Sequence, residues 1–165
     1  MISLIKNYVP YDEIVAGINK EIRSVTNNMV IKEQMNTKHQ PAYPFGTYTI
    51  TNPYLNTKTY SQNNGEITQS IEIMISYTFY SLNSFESNGI MQRVITNLTH
   101  RGTNQVLWLK GIHIVDIIGA GNRDTFLTIE TERRCGFDLR VRYVIKDSKD
   151  LKDIGIVEDV GENKE

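Results

Sequence analysis

The stretch IEIMISYTFY, residues 71–80, puts Ile71, Ile73, Ile75, Tyr77 and Phe79 on one side and Glu72, Met74, Ser76, Thr78 and Tyr80 on the other. Alternation with period two marks a strand with one buried face. The run before it, LNTKTYSQNNGEITQ (55–69), is also β-rich and contains Asn64-Gly65. That dipeptide favours a tight hairpin because both central positions of the turn need positive φ. Residues 54–70 are therefore expected to form a hairpin arm that leads into the long strand.

Outward from the hairpin the period changes. In PYDEIVAGINKEIRSVT (10–26), Ile14, Ile18 and Ile22 recur every fourth residue with Val15 and Val25 beside them, which predicts a helix. Pro10 suits its start, Asp12 and Glu13 suit the positive end of the helix dipole, and Asn27-Asn28 suits its stop. Phe45 to Thr51 alternates with Tyr48 and Ile50 on one side, and Pro41, Pro44 and Pro53 confine this strand to an edge or a short length. NSFESNGIMQRVITNLTHRG (83–102) predicts a second helix, with Asn83 and Glu86 as a capping box and Gly102 as the C-cap. Strands are expected near 112–118, 126–133 and 137–146, with turns at Gly119, Gly121-Asn122 and Cys135-Gly136. The expected fold class is α+β: a mostly antiparallel sheet with two helices packed on one face.

A chain of 165 residues suits one domain. Its net charge of −1 provides no overall field for gripping nucleic acid or a membrane. Residues 147–165 carry seven Asp or Glu against three Lys, a net of −4, which leaves +3 on the remainder. Residues 1–147 are read as the folded domain and 148–165 as a charged tail, flexible or ordered by a partner. One cysteine excludes an internal disulfide and any multi-cysteine zinc site, and fits synthesis in a reducing cytoplasm. No apolar run has the length of a signal peptide core or of a transmembrane helix.

Catalytic chemistry finds little support. Cys135 follows Arg133 and Arg134, which could favour a thiolate, but none of His39, His100 and His113 is arranged with it as a base. No histidine pair has metal-ligand spacing, and no cofactor is expected. GAGNRD (119–124) lacks the third glycine of a dinucleotide loop and the lysine of a phosphate loop. The acidic residues are scattered, so no carboxylate pair stands out. Arg140 and Arg142 are more informative. In the strand that holds them, Leu139, Val141, Tyr143 and Ile145 face one way, and Asp138, Arg140, Arg142 and Val144 face the other. Both arginines must then leave the sheet opposite the core, either into solvent, against a neighbour or toward an enclosed anionic channel.

ERRCGFDLRVRY (132–143) resembles the closing strand of bacteriophage neck or tail-terminator proteins, which show Glu-Arg-Arg, a small residue and Gly-Phe-Asp before an alternating strand. YPFGTYTITNPY (43–54) resembles the first strand of the same family. The resemblance covers roughly residues 10–146, and Cys135 departs from the residue type expected there. It implies a tail-terminator-like fold and a structural virion protein rather than an enzyme. The expected protein is a homo-hexameric ring at the head-proximal end of the tail, in the neck of the virion, assembled in the host bacterial cytoplasm. Its implied partners are other copies of itself, the tail tube protein, the head-tail connector or neck protein, the sheath protein where the tail is contractile, and genome DNA passing through the lumen without specific binding. No membrane is implied. Arg133, Arg134, Arg140, Arg142, Lys58 and Tyr60 are the expected interface or lumen residues. The alternatives are another neck, head-completion or tail-tube protein, or a small ligand-binding domain or thiol enzyme using Cys135.

Overall fold

The computed structural model describes residues 9–34, 40–63, 66–126 and 132–148. In chain order they form α1 (Tyr11–Val25), β1 (Ile31–Glu33), β2 (Phe45–Asn63), β3 (Glu66–Ser81), α2 (Ser84–Thr99), α3 (Arg101–Trp108), β4 (Ile112–Asn122) and β5 (Arg133–Ser148). The five strands make one sheet in the order β1-β2-β3-β5-β4. β1 runs parallel to β2, and the other three pairings are antiparallel. The α+β class is as expected, but the sheet is mixed and the described residues form three helices rather than two.

The alternation in 71–80 becomes the core. Ile71, Ile73, Ile75, Tyr77 and Phe79 are fully buried, and four of their register partners on β5, Cys135, Phe137, Leu139 and Val141, are buried with them. Ile14, Ile18 and Ile22 of α1, Met91, Val94 and Leu98 of α2, and Leu107 of α3 join the same cluster, so the helices cover one face of the sheet. The Tyr77 hydroxyl, deep in this layer, donates to Asn19 Oδ1 at 3.1 Å. Burial pushes its pKa far above the ordinary tyrosine range.

Local signals at the helix ends largely hold. Asn27 and Asn28 both adopt positive φ after α1, a conformation asparagine tolerates. Asn83 caps α2 by accepting from the Phe85 N–H at 2.8 Å. Glu86 does not reach back to Asn83 directly. It bonds the Ser81 hydroxyl, whose oxygen accepts the Asn83 N–H at 3.1 Å, so the capping box works through a relay. Gly102 does not end α2. It lies in the first turn of α3, and its N–H is capped by His100 Nδ1 at 3.1 Å.

The β expectations need four corrections. β2 is 19 residues long, so of the two expected outcomes it is not short, but beyond Tyr48 it does form an edge of the described sheet. It tolerates Pro53 because the proline sits in a register shift between Asn52 and Leu55, beyond the reach of β1. Second, the glycines at 119 and 121 lie within β4, where Gly119 takes a φ of 63° in a bulge between Ile118 and Gly121. Third, Cys135-Gly136 is no turn. Both residues lie inside β5, paired with Phe79 and Thr78. Fourth, the strand expected at 126–133 falls largely on residues 127–131, outside the described residues, and of Phe126, Glu132 and Arg133 only Arg133 belongs to a strand. The Asn64-Gly65 turn also lies outside the described residues, while Asn63 pairs with Glu66 on either side of it. The expected arm is sturdier than a hairpin. β5 follows β3 as far as Ser148, whereas β4 pairs with β5 no farther than Tyr143, so the arm is three strands wide.

Ile75→Ala is expected to lower unfolding stability by about 2–5 kcal/mol through cavity formation. Val144→Ala, on the exposed face of β5, is expected to stay within about 0.5 kcal/mol. Urea denaturation of both variants checks the assignment of the two faces.

Candidate functional site

The face of the sheet opposite the helices is built from polar residues that alternate with the core. Register puts Glu72 beside Arg142, and Met74 beside Arg140. Glu72 is only 2% exposed, although it lies on the face that no helix covers. Two guanidinium groups shield it. Arg142 approaches Oε1 with Nε at 3.2 Å and Nη2 at 2.8 Å. Arg140 approaches Oε2 with Nε at 2.5 Å and also with Nη2. Each carboxylate oxygen thus receives the edge of one guanidinium fork. The hydrogen bonds from Arg142 and then Arg140 outweigh burial and hold the Glu72 carboxyl below its ordinary range. The arginine side chains remain 41% and 49% exposed, so this cluster carries one surplus positive charge over a sealed acid.

A second cluster crosses the sheet toward its other end. Arg123, just past β4, lies across β5 to reach β3. Its Nη1 donates to Ser76 Oγ at 2.6 Å and Thr78 Oγ1 at 3.1 Å, and its Nη2 to Asp138 Oδ1 at 2.8 Å. Ser76 also donates to Asp138, at 2.6 Å. Gly136 makes this crossing possible. A Cβ there would stand 2.2 Å from the Tyr77 carbonyl oxygen and 2.9 Å from Arg123 Nε. This glycine serves close approach rather than chain reversal. Burial disfavours the Asp138 carboxylate, but bonds from Ser76 and Arg123 overcome it and lower its pKa.

The third cluster joins two distant stretches of sequence. Tyr43 donates its hydroxyl to Glu132 Oε2 at 2.6 Å, and Arg134 Nε donates to Glu132 Oε1 at 2.7 Å. The Arg134 guanidinium lies 5.2 Å from the ring centre of Tyr80, which stacks on Phe45 at 4.6 Å. YPF (43–45) and ERR (132–134) therefore meet in one aromatic and ionic cluster. Arg133 pairs with Asp124 at 3.2 Å, and Asp124 also accepts the Arg134 N–H at 2.6 Å. Burial works against the Asp124 carboxylate, yet these bonds together with that from Asn122 keep its pKa low.

Each sequence candidate can now be located. Arg133, Arg134, Arg140 and Arg142 lie on β5, and each is ion-paired within the chain. Lys58 and Tyr60 belong to the distal part of β2, where Tyr60 pairs with Gln69 on β3. Cys135 is buried. Its thiol donates to Asn88 Oδ1 at 2.8 Å and accepts from Ser87 Oγ at 3.7 Å, while Arg134 leaves the opposite face. His100 caps α3, His113 lies against Trp108, and His39 falls outside the described residues. Among the described residues no three His, Cys, Asp or Glu side chains group as a metal site. No described helix is long and apolar enough to cross a membrane.

Glu72, Arg123 and Tyr43 were not singled out from the sequence. Glu72 had a signal, an acid between two isoleucines in a central strand. Gly136 was the signal for Arg123, a glycine in the middle of a strand pattern.

The family described as phage neck terminator protein matches residues 16–164, which include both stretches that meet at Tyr43 and Glu132. Among curated proteins none matches.

Removing both cations is expected to harm the fold more than removing the acid. Arg140→Ala/Arg142→Ala leaves a buried carboxylate unpaired and should lower stability by about 3–5 kcal/mol. Glu72→Gln frees two half-exposed cations that can turn to water, and should lower it by about 1–2 kcal/mol. Urea titrations of the two variants check this order. The carboxyls of Glu72, Asp124 and Asp138 all titrate lower in the folded chain than when unfolded. Their contribution is complete above the unfolded carboxylate range of about 4 and is lost as pH falls through the folded values. Unfolding midpoints measured downward from about pH 5 should fall, and Asp138→Asn should make that fall shallower.

Proposed function

The chain belongs to the phage neck terminator family, a structural component of the virion neck, and from that premise we propose that it is the ring that ends the tail. Copies of the chain assemble, six by analogy with the family it resembles, on the head-proximal end of the tail tube. The ring stops further polymerisation and presents its other rim to the head connector or neck protein, and to the sheath where the tail is contractile. Assembly takes place in the cytoplasm of the host bacterium.

One observation carries this reading. The charged side chains of the stretch 132–143 are engaged inside the subunit, Glu132 by Tyr43 and Arg134, Asp138 by Arg123, and Arg140 and Arg142 by Glu72, and among the described residues no three His, Cys, Asp or Glu side chains group as a metal site. That pattern fits a part that must hold its shape, not one that turns over a substrate. The charge-paired sheet face suits the wall of the DNA channel, with the helical layer outward. Arg140 and Arg142 would then offer passing phosphates a modest surplus charge while Glu72 holds the guanidinium groups in place. Lys58 and Tyr60, on the arm, would touch a neighbouring subunit or ring. The segment 148–165 would be ordered by a partner, and the family match takes in all but its last residue.

A tail-tube protein would share much of this chemistry but should itself polymerise. A thiol enzyme is disfavoured by the burial of Cys135 and its bond to Asn88.

The purified chain should form closed rings by native mass spectrometry, and negative-stain images of rings mixed with tail tubes should show caps at one end only. A monomer that ignores tubes, or open filaments of the chain alone, would contradict the proposal. Cys135→Ser should cap tubes as well as the parent chain.

A further inference from the structure

On the helix-bearing side of the sheet, burial fades toward the arm. On β3, Ile71 is fully buried, Gln69 is half-buried and Ile67 is exposed. On β5, Val141 is fully buried, Tyr143 and Ile145 are half-buried and Asp147 is exposed. Register sets the two rows side by side, with Gln69 beside Ile145 and Ile67 beside Asp147. The described helices thus end short of the arm and leave apolar side chains on its underside open. With the exposed Tyr54 of β2, the residues Ile67, Gln69, Ile145 and Asp147 line a groove of about 190 Å³ there.

The chain enters the fold beside this groove. Val9 is buried in the core, and Pro10 caps the start of α1. Tyr11, the first residue of α1, donates its hydroxyl to the Pro53 carbonyl at 2.8 Å, one residue from Tyr54. The segment MISLIKNY (1–8) is therefore delivered to one end of the groove. Its Ile2, Leu4, Ile5 and Tyr8 are apolar, and Lys6 is its one charged side chain. Eight extended residues span at most about 26–29 Å. Leu55 pairs with Glu72, which sets Tyr54 near the level of Ile73, and the six residues from there to Ile67 cover about 20 Å. The segment is long enough to run the groove. Ser148 stands at the other end, but residues 149–165 carry six Asp or Glu against three Lys. Of the lining residues only Asp147 is formally charged, and it repels an acidic segment and attracts Lys6.

We propose that residues 2–8 lie in the groove of their own chain, with Ile2, Leu4 and Ile5 against Tyr54, Ile67 and Ile145, and with Lys6 reaching toward Asp147. Tyr54 and Ile67 are then removed from water. The segment ties the arm to the start of α1 and so fixes the arm against the core. The family match begins at residue 16, so this brace stands apart from the ring proposed above.

Thiol labelling of the full chain tests this, and the buried Cys135 gives a low background. Ile67→Cys should react with iodoacetamide about tenfold more slowly than the same cysteine in a chain that also carries Ile2→Ser, Leu4→Ser and Ile5→Ser. Circular dichroism should stay at parent values in both. The slow rate should be the same in dilute and in concentrated protein. Lys6→Glu should speed the labelling, and adding Asp147→Lys should slow it again. Under mild oxidation Leu4→Cys/Ile67→Cys should close a disulfide within one chain. Equal labelling rates with and without the serines would overturn the proposal. Rates equally fast would mean an open groove, and rates equally slow would mean that residues 149–165 or another molecule fill it. Protection that vanishes on dilution, or disulfides formed only between chains, would mean the segment of a second copy and would overturn it too. So would Lys6→Glu labelling at the slow rate. None of these outcomes bears on the ring reading, which native mass spectrometry tests separately.

Discussion

A strand hydrogen-bonded along both margins cannot turn its side chains away from either face, and β3 is such a strand. All 16 of its residues pair with β5, and most pair with β2 as well. Its odd-numbered residues from Ile71 to Phe79 fill the space beneath the helices. Its even-numbered residues must then be satisfied on a face that no helix covers. Glu72, Ser76 and Thr78 lie close to the backbone plane there, and arginines from β5 and from the end of β4 lie over them. The charge clusters of the outer face are thus a consequence of burying five large apolar side chains on the inner one.

This constraint gives physical content to the family signature. Glu132 ties the end of β5 to Tyr43 at the start of β2, and Arg134 closes that contact over Tyr80. Gly136 clears the path for Arg123, Phe137 enters the core, and Asp138 receives Arg123. Every charged member of the stretch has a partner inside the subunit. At the margin of the sheet β4 pairs with β5 alone, and Val106 and Trp108 of α3 are exposed.

Much of the fold was legible because period-two and period-four patterns reflect one buried face. The alternation at 71–80 and 138–145, and the isoleucine stripe of α1, each located an element and its core side. Short or irregular elements left no such trace. β1 has three residues, and α3 has eight with an exposed Trp108, so neither carries a readable period. The glycines at 119 and 136 were misread as turns, because a glycine that makes room for a bulge or a crossing side chain resembles one that reverses the chain. The arginines of the candidate site were visible as the polar side of β5. Their partners were not: Glu72 lies 68 positions from Arg140, and Tyr43 lies 89 from Glu132. Only the sheet register brings them together.

The central claim is that the signature residues brace the subunit rather than touch a partner. A double-mutant cycle of Tyr43→Phe and Glu132→Ala, read by urea unfolding and by capping of tail tubes, tests it most directly. The account predicts coupling of about 0.5–3 kcal/mol in stability, with capping retained wherever the variant is folded. Additive effects on stability with loss of capping in folded variants would contradict it, and would move these residues from the interior of the subunit to its interface.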